Sequence, residues 1–113
     1  MKLPVHNSEE KRLSTVKELE ILDTEPEALF DNLVQIAASV CDVPISLITL
    51  IDENRQWFKA NLGLDGISEV PREFSFCTHT IEREGVYEIP NAKTDPRFAD
   101  NPLVTGSPEI QFY

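Results

Sequence analysis

The sequence predicts an α+β fold in which helices pack on one face of an antiparallel sheet. Two helical patterns of apolar residues fill residues 8–41, and two strand-like runs follow at 45–51 and 56–62. The chain has 113 residues, of which 41% are apolar and 27% charged, and this composition suits one hydrophobic core. We therefore expect a single domain over residues 1–113, with a flexible N-terminal segment at 1–7.

The first helix is predicted over residues 8–22. Leu13, Val16 and Leu19 recur at a spacing of three and form an apolar face, and Ser8 is a favourable residue to cap the helix. Glutamates and lysines fill most of the remaining positions, which indicates a solvated outer face.

A second helix is predicted within residues 24–41. Thr24 and Glu27 have the spacing of a capping box, and Pro26 is tolerated in a first turn. A broad apolar stripe follows and predicts that this helix packs against a large apolar surface. The stripe consists of Leu29, Phe30, Leu33, Val34, Ile36, Ala37, Val40 and Cys41.

Two strands are predicted to form a hairpin. Residues 45–51 are apolar on both alternating faces and rich in β-branched side chains, which predicts a central strand covered on both sides. A polar turn at 52–55 leads into the second strand at 56–62. Strict alternation in that strand places Phe58, Ala60 and Leu62 on one face and Trp57, Lys59 and Asn61 on the other.

Shorter elements and long connections are predicted for the rest of the chain. Glycines, prolines and acidic residues mark the connections, and the intervening apolar runs are short. The expected order is an exposed connection over 63–73, a short helix over 75–83, a third strand over 86–90, a long connection over 91–108 with a helical turn at 96–100, and the start of a fourth strand at 110–113.

Charge and composition exclude several classes of function. Ten basic and twenty acidic residues give a formal charge of −10, and the densest basic stretch, at 11–17, is interleaved with glutamates. Nucleic acid is therefore excluded as a partner, because counter-ion release needs clustered cations. The longest apolar run, 45–51, is far shorter than the ~20 residues of a membrane-spanning helix. Cys41 and Cys77 form no disulfide framework, and the N-terminus lacks the pattern of a signal peptide, so a cytoplasmic location is expected.

Five motifs stand in order along the chain. They are Glu18-Leu19-Glu20-Ile21-Leu22-Asp23-Thr24-Glu25-Pro26-Glu27 with Phe30-Asp31, Pro44-Ile45-Ser46-Leu47-Ile48, Arg55-Gln56-Trp57-Phe58-Lys59, Ser75-Phe76-Cys77-Thr78-His79, and Asp95-Pro96-Arg97-Phe98 with Asn101-Pro102-Leu103-Val104. From about residue 10 to residue 113, the sequence closely resembles a GAF domain, of the type found at the front of bacterial sensor histidine kinases and diguanylate cyclases.

The resemblance implies a GAF-like, PAS-related architecture. Such a domain has an antiparallel sheet with helices on one face and a ligand pocket between the other face and the segment at 63–108. Here the sheet and pocket loops would occupy 44–113, and the domain would be partial, truncated before its last central strand and closing helix. The strand at 45–51 would then lack a neighbour, and a second copy of the chain could complete the sheet.

The resemblance also implies a sensory or regulatory function. A module of this kind binds a small molecule, or dimerises through its N-terminal helix, here through Leu13, Val16 and Leu19. It would control an output domain, such as the histidine kinase of a two-component system or a diguanylate cyclase, with no catalytic site or required cofactor of its own. Two alternatives remain open: a purely structural dimerisation module, and a redox enzyme similar to free methionine sulfoxide reductases.

Eight residues are candidates for the ligand site. Polar groups in the long connection, set against aromatic walls, would orient a small molecule. Asp95 is more simply explained as a cap of the turn that begins at Pro96. For Arg97, pairing with an acid and contact with a ligand both remain open. The eight residues are Phe76, Cys77, His79, Asp95, Arg97, Phe98, Asn101 and Tyr113.

Cys77 and His79 are the candidates with the most reactive side chains. They are two residues apart, so on a helix they point in different directions and cannot easily share a metal ion. Burial is favoured over ligand contact for Cys77. Thr78 separates the pair, which weakens the resemblance to bilin-binding relatives. Cys41 lies in the apolar stripe, which leaves Cys77 without an obvious resolving cysteine for redox chemistry.

Overall fold

A computed structural model of the chain describes residues 7–113, with side chains from Glu9 onward. The fold is α+β, as predicted, with a three-stranded antiparallel sheet in the order β1-β2-β3. The chain divides into a first unit, which ends at Glu73, and a second unit, Phe74–Tyr113. The elements are α1 (Asn7–Glu18), α2 (Ala28–Cys41), β1 (Ser46–Ile51), β2 (Arg55–Leu62), β3 (Glu69–Pro71), α3 (Cys77–Thr80) and α4 (Pro102–Thr105).

Helix α1 is shorter than predicted. It ends at Glu18 because the chain turns away through Glu20 and Asp23, whose φ angles of 54° and 60° are left-handed. Ser8, predicted as its cap, lies inside the helix as described. Apart from Asn7, the segment predicted to be flexible lies outside the described residues.

Helix α2 begins without the predicted capping box. Its N-cap residue is Glu27, which makes no side-chain capping bond, and α2 itself starts at Ala28. The hydroxyl of Thr24 instead donates to the carbonyl of Ile21 and accepts from Lys59 Nζ. The prediction of a capping box is therefore wrong, because the Thr24 hydroxyl is engaged by Lys59 and by the carbonyl of Ile21 and does not cap α2.

The hairpin of β1 and β2 is confirmed, but its strict alternation is not. Leu47 pairs with Asn61 and Thr49 pairs with Phe58, so the register shifts by one residue between these pairs. Leu47 and Thr49 share a face, and Phe58 and Asn61 therefore share one too, although they are three residues apart. The extra residue forms a β-bulge at Lys59, which a period of two cannot anticipate.

Strand β1 is the outer strand of the described sheet. The prediction that it is central and covered on both sides is wrong, since β1 is half-buried along most of its length. Its outer side faces no other strand of that sheet, which agrees with the edge that the resemblance implies. Helix α2 packs against β1 and β2.

Strand β3 replaces part of the predicted exposed connection. Val70 pairs with Gln56 and is buried. The strand was not predicted because three residues are too few to show the alternation of a strand. An apolar cluster forms between the sheet and the chain that leads to β3. It consists of Phe58, Leu64 and Val70, with Ile45 and Leu47 packed against them.

The second unit is built around its own apolar cluster. Helix α3 is shorter than predicted, and the segments at 86–90 and 110–113 are not regular strands. They do pair, because Ile89 and Tyr113 exchange both backbone hydrogen bonds, of 2.6 and 3.0 Å. The helical turn after Asp95 is confirmed by its backbone bonds, and α4 was not predicted. The buried cluster consists of Phe76, Ile89, Ala92, Phe98 and Val104.

Candidate functional site

The three aromatic candidates lie together in the second unit. The rings of Phe76 and Phe98 stack with centroids 4.5 Å apart, and the Tyr113 ring lies 5.2 Å from Phe76. Both phenylalanines are almost fully buried. The predicted aromatic walls of a pocket are thus the packed interior of this unit.

The hydroxyl of Tyr113 joins two side chains of α3. It lies 2.6 Å from Thr80 Oγ1 and donates to Cys77 Sγ at 3.1 Å. Burial, with the neighbouring Cys77, raises the pKa of Tyr113, so the phenol keeps its proton at neutral pH. The thiol of Cys77 therefore has a hydrogen-bond partner within the unit.

His79 also packs into this aromatic group. Its ring meets the Phe98 ring edge-on at 5.1 Å. Burial lowers the pKa of His79, which favours the neutral imidazole at pH 7. Cys77 and His79 take different partners, Tyr113 and Phe98, and no described group of three His, Cys, Asp or Glu side chains is arranged to hold a metal ion.

Asp95 caps the turn that follows it, as the simpler interpretation predicted. Its carboxylate accepts from the backbone N–H of Arg97 at 2.9 Å and from two guanidinium nitrogens at 3.0 and 2.8 Å. Arg97 holds the pKa of Asp95 down at about 2. The same guanidinium donates to the hydroxyl of Tyr87 at 2.6 Å.

Asn101 has a structural role as well. Its side-chain oxygen accepts from the N–H of Leu103 at 2.9 Å and caps α4, while its amide donates to the carbonyl of Phe74 at 3.0 Å. The structure thus gathers all eight candidates in one unit, where five of them form side-chain hydrogen bonds with protein groups: Cys77, Asp95, Arg97, Asn101 and Tyr113. A ligand at this place would have to displace existing contacts.

An open cleft of about 430 Å³ lies in the first unit. Its walls come from α2, from β2 and from the chain at Ile67 and Ser68, none of which the sequence analysis selected as a site. The signal that could have indicated it is the pair of polar residues, Asp31 and Gln35, one turn apart on a mostly apolar helix. The lining residues are Pro26, Asp31, Val34, Gln35, Phe58, Lys59, Ala60, Asn61, Leu62, Ile67 and Ser68.

Lys59 is one of the residues that line this cleft, and it also holds the connection between α1 and α2. Its side chain is 1% exposed, and Nζ lies 2.6 Å from a Glu27 carboxylate oxygen. The same ammonium donates to Thr24 Oγ1 and to the carbonyl of Glu25, both at 2.7 Å, and lies 5.6 Å from the centroid of the Phe30 ring. The ammonium is therefore fully solvated by protein groups.

Arg55, the first residue of β2, contacts the same connection between α1 and α2. Its guanidinium forms a bidentate pair with Asp23, at 2.9 and 2.8 Å, and also reaches Glu69 at 3.0 Å and Asp52 at 3.3 Å. The hydrogen bonds that Arg55 donates to Asp23 are the largest cause of the raised pKa of Arg55. We call the contacts of Arg55 and Lys59 with residues 23–27 the β2 clasp.

Helix α2 exposes a line of large apolar side chains. Leu29, Leu33, Ile36 and Val40 are 67%, 47%, 60% and 79% exposed, and we call these four residues the α2 stripe. On α1, by contrast, Val16 is 8% exposed, Leu13 is half-buried, and Leu19, beyond the end of the helix, is 51% exposed. The larger apolar surface is thus on α2 and not at the positions predicted for dimerisation.

None of the described helices combines the length and apolar character needed to cross a membrane.

No protein-family model matches the chain. The chain is 42% identical over 110 residues to a cyclic di-GMP phosphodiesterase of Pseudomonas aeruginosa. The alignment covers 97% of this chain and 19% of that enzyme, so the chain spans about a fifth of the length of the relative that it matches.

Proposed function

We propose that the chain is a regulatory module of a bacterial signalling protein, located in the cytoplasm, that controls the activity of an output domain without a catalytic site of its own. The observation that carries this proposal is the similarity of nearly the whole chain, 97%, to only 19% of a cyclic di-GMP phosphodiesterase. A segment of that size is what a module appended to a larger enzyme would match. The output we propose is accordingly an enzyme of cyclic di-GMP turnover. The kinase of a two-component system, expected from the sequence, finds no support in this comparison.

The contacts of the reactive side chains favour regulation over catalysis. A catalytic group must present its reactive atom to the space where substrate binds. Asp95 is committed to Arg97, Cys77 to Tyr113, and His79 packs against Phe98. The redox alternative needs a second thiol close to Cys77, and the partner of Cys77 Sγ described above is the hydroxyl of Tyr113.

The decisive experiment deletes the matching segment from the Pseudomonas enzyme and measures cyclic di-GMP hydrolysis. We expect hydrolysis to persist at a rate altered several-fold, because the segment regulates and does not catalyse. The chain alone, assayed in parallel, should release no product. An unchanged rate would remove the regulatory role, and hydrolysis by the chain alone would make it an enzyme.

A second candidate function, small-molecule binding, is favoured by the cleft of the first unit. Its volume of about 430 Å³ is within the range of ligand sites, and Asp31, Gln35 and Ser68 supply polar groups beside the apolar Val34 and Phe58. A thermal-shift screen with cyclic di-GMP, GMP and a metabolite library would detect such binding.

Two variants locate the ligand if one is found. Loss of the shift in Gln35→Ala, with retention in Arg97→Ala, would place the ligand in the cleft. The opposite result would place it among the eight residues of the second unit. No shift with any compound would leave the chain a regulator that works through protein contacts.

A further inference from the structure

Two polar residues that line the cleft already have partners in the protein. The Lys59 ammonium is held by residues 24–27, as described above. The amide of Asn61 donates to the carbonyls of Leu64 and Ile67 at 2.6 and 2.9 Å, and its side-chain oxygen accepts from the N–H of Leu64 at 3.0 Å. Lys59 and Asn61 therefore serve the structure of the first unit.

Asp31, Gln35 and Ser68 differ from those two residues. In the part of the chain that the structure describes, no protein group forms an ion pair or a hydrogen bond with their side chains. Asp31 and Gln35 are four residues apart on α2, so they share one face of the helix, with the buried Val34 between them. Ser68 is on the wall that follows β2, where its carbonyl accepts from the N–H of Phe58 at 3.0 Å. The cleft thus presents a carboxylate, an amide and a hydroxyl beside an apolar surface.

The charge of the cleft selects the class of ligand. Asp31 and Lys59 are the charged residues among those that line it, and the Glu27 carboxylate, 2.6 Å from Nζ, neutralises Lys59. The charge that remains for a ligand is that of Asp31, whose carboxylate can only accept hydrogen bonds. The formal charge of −10 on the whole chain also attracts cations and repels anions. A ligand that carries a positive charge and N–H donors fits these conditions.

We propose that the cleft binds a small organic cation, an amine or guanidinium compound. Its charged group donates to Asp31 and Gln35, and its apolar body packs on Val34 and Phe58. The proposal deepens the small-molecule binding proposed above, on which it rests, by naming the class of ligand and the contacts of its charged group. Because α2 forms one wall, the cleft also differs from the pocket that the resemblance implies, on the sheet face without helices.

The proposal separates the ligand of the module from the substrate of the output enzyme. Cyclic di-GMP carries two anionic phosphates, and a phosphate needs a cation with free N–H groups. The cleft lacks one, since the Lys59 ammonium is already held by Thr24, Glu25 and Glu27. The module therefore responds to a compound of opposite charge to cyclic di-GMP.

A charge series of small aromatic compounds tests the proposal. Phenethylamine, phenethyl alcohol and phenylpropionate carry the same ring on a short chain that ends in a cation, a neutral hydroxyl and an anion. Each is titrated into the 113-residue chain, and NMR follows the backbone amides of residues 31–35 and 67–68. The amine should bind tighter than the alcohol by on the order of tenfold or more, because hydrogen bonds to charged groups are the stronger ones. Phenylpropionate, GMP and cyclic di-GMP should leave these signals unchanged.

Substitutions then assign the preference for the amine to one carboxylate. Asp31→Asn keeps the shape of the side chain and removes its charge, so the amine should lose its advantage over the alcohol. Asp42→Asn is the matched control, because it removes the same charge at the exposed C-terminal end of α2, outside the lining residues, and should keep that advantage. Raising the salt concentration from 50 to 500 mM should weaken binding of the amine and leave that of the alcohol unchanged.

Four outcomes would overturn the proposal: no signal change with the amine, equal affinity for amine and alcohol, signal changes at these residues with GMP or cyclic di-GMP, or an advantage of the amine that survives Asp31→Asn. The first three use the unmodified chain, so they do not depend on the folding of a variant. If the amine binds as expected but the deletion experiment leaves hydrolysis unchanged, the site stands and the regulatory function fails. The reverse pair of results removes the site alone.

Discussion

Lys59 is a cation placed where water does not reach it. Its ammonium contacts the hydroxyl of Thr24, the carbonyl of Glu25 and the carboxylate of Glu27, and its side chain is buried. Each of these partners is more than 30 residues away along the chain. The contacts fix the path of the connection between α1 and α2, which contains two residues with left-handed φ angles.

Replacing Lys59 by Met should lower the free energy of unfolding by about 1–3 kcal/mol. Methionine keeps the length of the stem but leaves the Glu25 carbonyl and the Thr24 hydroxyl without their donor. Glu27 is 58% exposed and stays hydrated, so no charge is stranded. Urea denaturation measures the change, with Lys93→Met at an exposed site as control. Equal stability of both variants would show that the clasp does not hold the connection.

Glu9 makes the stability of the first unit depend on pH in the acidic range. Hydrogen bonds from Arg12, then from Arg72, lower its pKa from 4.5 to about 2. A depressed carboxyl pKa contributes stability above pH 4.5 that is lost as the pH falls toward 2. Glu9→Gln should therefore flatten the fall in unfolding free energy between pH 5 and 2. Glu10→Gln, exposed on the same helix, should keep the wild-type slope, and equal slopes for all three proteins would contradict the assignment.

Some residue roles were predictable and others were not. Asp95 was interpreted correctly as a cap because its bond to Arg97 spans two residues, and local sequence contains that information. The partners of Lys59 depend on a bulge that shifts register, and those of Arg55 are up to 32 residues away. A single sequence carries no local signal for such contacts. The gathering of the eight candidates was implied by the resemblance, but their mutual pairing was not.

Among the elements, the end of β2 depends on a glycine. Gly63 has a φ of 102°, and a Cβ added there would lie 2.3 Å from the carbonyl oxygen of Pro44. No side chain can shift to relieve a contact with backbone. The turn that brings Leu64 over Phe58 therefore requires glycine at this position.

Gly63→Ala should lower the unfolding free energy by more than the ~1–3 kcal/mol that a left-handed backbone alone costs. Gly66 is the matched control, because its φ of 81° is also left-handed while an added Cβ would have no neighbour within 4 Å. Thermal unfolding of the two variants isolates the steric part. If both lose the same stability, the contact with Pro44 is not rigid.

The long elements were predicted and the short ones were missed. Two helices of 12 and 14 residues and a hairpin with a six- and an eight-residue strand show their periods clearly. Strand β3 has three residues and α4 has four, so each is too short for its apolar residues to recur several times with a strand or helix period. Their positions are decided by pairing with Gln56 and by the Asn101 cap, which are tertiary and local features that hydrophobic periodicity does not report.

At the scale of the whole molecule, the two units carry different candidate functional features. The cleft, the β2 clasp and the α2 stripe are in the first unit, and the eight candidates from the sequence are in the second. The hydrogen bonds described above for those candidates are made within the second unit. Regulation was implied by the resemblance, and the similarity to a cyclic di-GMP phosphodiesterase now supports it; the cleft proposed to bind a ligand became visible only in three dimensions.

The last residue of the chain should matter more than its neighbour. Tyr113 packs on Phe76 and Tyr87 and joins Thr80 through its hydroxyl, whereas Phe112 is largely exposed. Tyr113→Ala should therefore lower the unfolding free energy by about 2–4 kcal/mol, and Phe112→Ala by less than about 0.5. Hydrogen exchange read at residues 74–109 should show lost protection in the first variant alone. Equal effects would mean that Tyr113 does not close the cluster.

The outer side of β1 has a practical consequence. Its row of backbone donors and acceptors meets no other strand in the described sheet, and Arg12 covers the carbonyl of Ile51 at one end. In a concentrated sample, an exposed strand edge of this kind can pair with other copies of the chain and start the growth of fibrils. The purified polypeptide should therefore aggregate faster when it is stored at high concentration than when it is stored dilute.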